Sequence, residues 1–131
     1  MHSIPASSPL RMLDPKDIKC VAVDSSQLPT LYSSVDCLLF PSIYEGFGYP
    51  VVEALACGTP VVCSNLASLP EVGGDLAMYY ASDDYKGMAT AVRQLIRGEV
   101  DMDLCREGPK WVDKFRANRV AKQFYEHYQQ L

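Results

Sequence analysis

Long apolar runs, blocks of like charge, histidine and metal-type cysteine spacing are all scarce in this sequence, and each scarcity excludes a class. No apolar run approaches the ~20 residues of a membrane-spanning helix, so no transmembrane segment is expected. Lys and Arg total 12 against 16 Asp and Glu, a net charge of -4, with both signs scattered along the chain. That mildly acidic balance argues against nucleic acid or an anionic membrane as partner. Met1 to Asp14 has no positive region followed by an apolar stretch and is not expected to be a secretory signal. The five cysteines (Cys20, Cys37, Cys57, Cys63, Cys105) are odd in number and never spaced Cys-x-x-Cys. Four sit in or beside apolar stretches, where a free thiol behaves as a small hydrophobe. Reduced core thiols, and with them a cytoplasmic location, are the expectation. His2 and His127 lie far apart and suggest neither a metal pair nor a general base.

What is present fits one domain. The 131 residues are 48% hydrophobic, enough for a core of ordinary size. Residues 1–17 carry Pro5, Pro9 and Pro15 among serines and read as an irregular lead-in. Residues 18–131 read as the folded part. Lys19–Val23 is a short β-branched run suited to a buried strand. Ser25 or Ser26 then caps a helix with Leu28, Leu31 and Tyr32 on one face. Asp36–Phe40 is a second strand, stopped by Pro41. Pro50 opens a helix that runs to about Cys57, with Gly58 beyond its end. Val61–Cys63 and Ala77–Tyr80 are further strands. Ser82 caps an amphipathic helix bearing Tyr85, Met88, Ala89, Val92, Leu95 and Ile96. One helix around Leu104–Phe115 and another from Asn118, lined by Val120, Ala121, Phe124 and Tyr128, complete the chain. Apolar strands alternating with helices predict an α/β, Rossmann-like parallel sheet with helices on both faces.

In such sheets ligands bind beyond the carboxyl ends of the strands. This singles out the loop Pro41-Ser42-Ile43-Tyr44-Glu45-Gly46-Phe47-Gly48-Tyr49. Gly46 and Gly48 allow close approach of the backbone to a ligand or a positive φ. The first N–H groups of the following helix suit an anion. Many strand–loop–helix turns share these features, so the loop alone does not identify a ligand. Glu53 adds to it. It is the one carboxylate on a helix otherwise apolar all round, and so expected to be buried. A buried carboxylate needs a partner, and no cation stands on its own face. A distant Lys or Arg, solvent, or a ligand remains open.

The segment Pro41-Ser42, Glu45-Gly46-Phe47-Gly48, Pro50, Glu53-Ala54 and Gly58-Thr59-Pro60-Val61-Val62 closely resembles glycosyltransferase family 4, the retaining group 1 enzymes with the two-domain GT-B fold. Leu69-Pro70-Glu71-Val72 and Gly74-Asp75 extend the resemblance, which covers roughly Lys19 to the C-terminus. It implies part of the C-terminal, nucleotide-sugar-binding domain. Glu45 and Glu53 are similar to that group's paired glutamates. On this resemblance Glu45 contacts hydroxyls of the donor sugar and is the candidate catalytic residue, and Glu53 contacts the ribose. The backbone around Phe47 and Gly48 faces the sugar and diphosphate, and Ser42, Gly46 and Tyr49 complete the donor-binding set. The implied partner is a nucleotide-diphosphate sugar, together with an N-terminal domain or another chain. Similar enzymes bring an Arg and a Lys to the diphosphate, a pair that Arg11, Lys16 and Lys19 do not match in context. No cofactor and no metal are expected. Asp101-Met102-Asp103 has the Asp-x-Asp form of metal-dependent enzymes of another fold, but stands at a helix start, where acids cap. Activity in isolation is not expected, and a non-catalytic donor-binding or assembly module stays open as the alternative. The resemblance also implies strand order 3-2-1-4-5-6, with Lys19–Val23 as strand three and Asp36–Phe40 as strand four. With strands one and two absent, Asp36–Phe40 is expected at an edge. Lys19–Val23, or another chain, is then expected to cover it.

Overall fold

The computed structural model describes residues 14–101 and 103–130. Three parallel strands form its sheet: β1 (Leu38–Phe40), β2 (Val61–Ser64) and β3 (Ala77–Tyr80), in the order β1-β2-β3. Leu38 pairs with Val61 and Phe40 with Cys63. Val61 pairs in turn with Ala77, and Ser64 with Tyr80. The central strand β2 is buried at all four positions. Its alternation explains the layering, because successive side chains point to opposite faces. Val61 and Cys63 join the larger core with Val51, Ala54, Leu55, Leu69, Val72 and Val112. Val62 joins a second core with Met88, Ala91 and Leu95. Helices therefore cover both faces, as an α/β Rossmann-like sheet requires.

Seven helices surround this sheet among the described residues: α1 (Leu28–Ser33), α2 (Tyr49–Ala56), α3 (Leu69–Gly73), α4 (Tyr85–Ile96), α5 (Asp103–Arg106), α6 (Gly108–Val112) and α7 (Ala117–Tyr128). The helix α2 starts where Gly48, at φ 99°, turns the chain, and Pro50 sits in the first turn. At its other end Gly58 N–H donates to Leu55 O at 3.0 Å and Thr59 N–H to Ala54 O at 2.9 Å. These are the two bonds of a Schellman close, made possible by Gly58 at φ 72°. The face of α4 that packs inward is Met88, Ala91 and Leu95, a helical spacing that leaves Tyr85 and Ile96 exposed.

Several expectations need correction. Lys19–Val23 is not a strand. It makes no ladder, and Val21 and Val23 are exposed. Its β-branched residues have the shape for a strand, but among the described residues no neighbouring strand offers it backbone partners. It does not cross to cover β1, which stands at an edge of the sheet. The cap of α1 is Gln27, with no side-chain bond to the helix amides, rather than Ser25 or Ser26. Asp84, not Ser82, caps α4, by accepting from Gly87 N–H at 2.9 Å. The expected helix 104–115 is broken into α5, α6 and a 3-10 turn over Asp113–Phe115. Pro109 disfavours continuation through the preceding residue. Gly108 lies so close to α2 that a Cβ there would stand 2.2 Å from Leu55 O. Residues 1–13 of the lead-in lie outside the described residues, and Pro15–Asp17 forms a 3-10 turn capped by Asp14.

Candidate donor site

The loop after β1 is built from both sides. Within it, Ser42 Oγ donates to Glu45 Oε1 at 2.9 Å. From the end of β2, the fully buried Ser64 hydroxyl donates to Ser42 O. From the next loop, Ser68 Oγ donates to Phe47 O at 2.8 Å. Three hydroxyls thus tie the β1 loop to itself and to its neighbour at the carboxyl end of the sheet. Phe47 adds an apolar anchor, edge-on to Tyr49 at 5.0 Å and to Phe115 at 5.3 Å between ring centres. The loop tip is open by contrast. Ile43, Tyr44 and Tyr49 are exposed, and nothing lies within 4 Å of where a Cβ on Gly46 would be.

The two loop glycines therefore differ. Gly48 is buried and turns the chain, with Leu69 Cδ2 only 2.7 Å from a would-be Cβ. Gly46 is exposed and outside the left-handed region. Gly48 brings no side chain to cap the first turn of α2, Pro50 has no N–H, and the Val51 and Val52 amides reach Gly48 O. The anion site expected at this helix start is accordingly narrow, centred on the uncapped amide of Tyr49.

Glu53 stands one turn further along α2, half-buried rather than enclosed. Only Val51, Ala54 and Leu55 of this helix are buried, so the expectation that it is buried all round does not hold. Its partner is neither Lys nor Arg. Tyr32 Oη donates to Glu53 Oε2 at 3.1 Å. Burial pushes the Tyr32 phenol up to about 12, and the hydrogen bond and charge of Glu53 act in the same direction. Leu28, Pro29, Tyr32, Ala56 and Cys57 form with Glu53 a mostly apolar cleft of about 230 Å³ between α1 and α2. In sequence Tyr32 falls on the apolar face of α1, and that pattern hides the role of its hydroxyl. A tyrosine on a short helix just ahead of β1 is the only local signal.

The remaining candidates fall elsewhere. Asp101 lines a depression with Val61 and Ala77, which begin their strands, so it lies at the opposite end of the sheet from Glu45. Asp103 opens α5, and Met102 lies outside the described residues. Among the described residues no group of three His, Cys, Asp or Glu side chains is placed to hold a metal. Lys16 pairs with Asp14 at 2.6 Å, and Lys19 is exposed. Arg11 and His2 lie outside the described residues, and His127 is exposed on α7. No described helix is long and apolar enough to cross a membrane.

Residues 19–110 match the family described as "Glycosyl transferases group 1". The chain is 42% identical over 77 residues to O-antigen chain mannosyltransferase B of Escherichia coli, covering 59% of this chain and 20% of that protein. It is 32% identical over 109 residues to O-antigen chain mannosyltransferase RfbU of Salmonella typhimurium, covering 83% of this chain and 28% of that protein. A glycogen synthase of Mycobacterium tuberculosis is 38% identical over 76 residues, covering 56% of this chain and 18% of the enzyme. The chain thus spans between about a fifth and under a third of the length of these relatives. No solved structure matches. The family match covers well over half of the chain, includes both glutamates and the loop between them, and falls on the α/β sheet described above: the chain belongs to the group 1 glycosyltransferases.

Proposed function

We propose that this chain supplies the donor-binding part of a retaining glycosyltransferase of the two-domain GT-B kind, taking a hexose from a nucleoside diphosphate sugar. Two of the relatives are named mannosyltransferases, so a mannosyl donor is the first candidate. The observation that carries the reading is the pairing of Glu45, braced in the loop by Ser42, with Glu53, which opens on the α1–α2 cleft. A carboxylate accepts strongly from sugar hydroxyls, having two oxygens and no donor of its own. Glu45 takes hydroxyls of the transferred sugar and Glu53 those of the ribose. The diphosphate lies between them, against the backbone of Phe47 and Gly48 and the uncapped amide of Tyr49, at the positive end of α2. Ser42 holds Glu45, and Gly46 leaves room for the sugar. No metal is assigned a part, and the acceptor and the basic groups for the leaving diphosphate come from the rest of the assembly. Transfer breaks the anomeric C–O bond to the diphosphate and forms one to an acceptor oxygen on the same face, while the acceptor's proton departs.

Calorimetry of the chain with nucleoside diphosphates and their hexose conjugates, mannosyl donors first, tests this directly. Glu53→Ala is expected to weaken nucleotide binding by roughly 10–150-fold, the value of a charge-assisted hydrogen bond. Glu53→Gln is expected to weaken it less, and chelator to leave it unchanged. Equal affinity in wild type and both variants would refute the ribose role. Binding without transfer, once the chain is joined to the remaining domain of a relative, would favour the non-catalytic module.

A further inference from the structure

We propose that Tyr32 is the positioning residue of Glu53: it holds one carboxylate oxygen so that the other is presented, already oriented, to the ribose diol. This rests on the donor-site reading above and goes beyond it to a residue outside the glutamate loop.

Two independent restraints fix Tyr32. The buried Thr59 hydroxyl, in the turn between α2 and β2, donates to Tyr32 O at 2.8 Å. The Tyr32 ring packs against the larger core. Backbone and ring are thus held from opposite ends, and the hydroxyl is carried to a set position against Glu53 Oε2. Glu53 is otherwise a long side chain on a half-buried helix face, and among the described residues Tyr32 is the side chain that bonds it. A free glutamate there would lose rotamer freedom on binding. With Oε2 engaged, that freedom is already restricted, and Oε1 remains to accept from the ligand. The raised phenol keeps its proton throughout the neutral range, so the donor is always present. Tyr32 touches no reacting atom in this arrangement and acts only through Glu53.

The test uses the full chain and two ligands, a nucleoside diphosphate and its 2′,3′-dideoxy counterpart, with the base that binds best. Wild type is expected to prefer the ribonucleotide. Tyr32→Phe, which keeps the ring in the core, is expected to lose roughly 3–10-fold in affinity for the ribonucleotide and none for the dideoxy form. In a Glu53→Ala background the same change is expected to cost nothing further, since its effect is relayed. Equal losses for both ligands would mean that Tyr32 only supports the fold, and no loss for either would mean that it positions nothing. Both outcomes overturn the inference while leaving the donor site standing. A wild type that binds both ligands equally would overturn the ribose role of Glu53, and this inference with it. Should Tyr32→Phe fail to fold, Tyr32→Met, whose flexible side chain fills similar space, carries the same comparison.

Discussion

The two glycines of the proposed donor loop offer the sharpest separation of fold from function. In Gly48→Ala the new Cβ meets two penalties. At φ 99° an L-residue is in the left-handed region, at a cost of roughly 1–2 kcal/mol. Its Cβ also stands 2.7 Å from Leu69 Cδ2, and Leu69 is a fully buried core residue with little room to retreat. Overpacking of that kind adds about 1–3 kcal/mol. The reduced freedom of the unfolded chain returns roughly 0.4–1 kcal/mol. The net loss is about 2–4 kcal/mol, or a fall in Tm of roughly 6–20 °C for a chain of this size. Gly46→Ala meets neither penalty, because its Cβ points into open space and its φ is ordinary. Its stability is expected to stay within about 0.5 kcal/mol of wild type, while sugar-nucleotide affinity falls roughly 5–100-fold as the methyl group enters the donor's space. Thermal melts followed by circular dichroism, with calorimetry on the same preparations, read both effects. Tm values that fall together, or a Gly46→Ala chain that binds like wild type, would refute the assignment of one glycine to the fold and the other to the ligand.

Stability is expected to fall in alkali. Burial pushes Cys63 from 9.0 to about 12, Tyr32 from 10.0 to about 12, and Tyr79 upward as well. Each folded value is raised, so these contributions are complete below the unfolded values and are lost as pH rises from about 9 to about 12; a Tm that stays level across that range would count against them. The thiols should react in order of exposure, Cys20 first and the buried Cys63 only on unfolding, which a disulfide-exchange reagent with and without denaturant will read. The open β1 edge, with Leu39 47% exposed, should support weak self-association at high concentration. Leu39→Lys is expected to suppress it in light scattering over a concentration series, and an unchanged profile would place any contact elsewhere.

The elements legible in the sequence were those whose signal is local. The strand β3 falls where its apolar run does, and β2 extends one residue beyond its own. The helix α2 announces both ends, through Pro50 and Gly58, because a missing N–H and a positive φ are properties of single residues. Lys19–Val23 failed for the opposite reason: strand propensity describes a shape, and a strand also needs a neighbour. Ser82 and Asp84 compete in one short polar stretch, and the winner is the side chain that reaches the third amide along, from Gly87. On α7 the expected apolar line is real in sequence, yet Phe124 and Tyr128 remain exposed. Periodicity gives a face without saying what covers it.

The site divides along the same line. Glu45, Glu53 and the glycines between them lie within nine consecutive positions and stand out as one motif. Their orientation could not, because it comes from distant residues. Ser64 reaches the loop from the end of β2 and Ser68 from the loop after it, while Tyr32 reaches Glu53 from 21 residues upstream. A hydroxyl is a modest polar group, and nothing in a serine's or tyrosine's neighbours in sequence shows which carbonyl or carboxylate it will meet. The fold makes that choice. Parallel pairing of β1 with β2 sets Phe40 opposite Cys63, which brings the loops that follow them together, so the serines after β2 face the loop after β1. The Schellman turn after α2 likewise delivers Thr59 to the end of α1, and so sets Tyr32 against Glu53. The motif therefore supplies the groups proposed to meet the donor, while the sheet register and the helix ends aim them. Substitutions at Ser68 or Thr59 should accordingly disturb donor binding without altering either carboxylate.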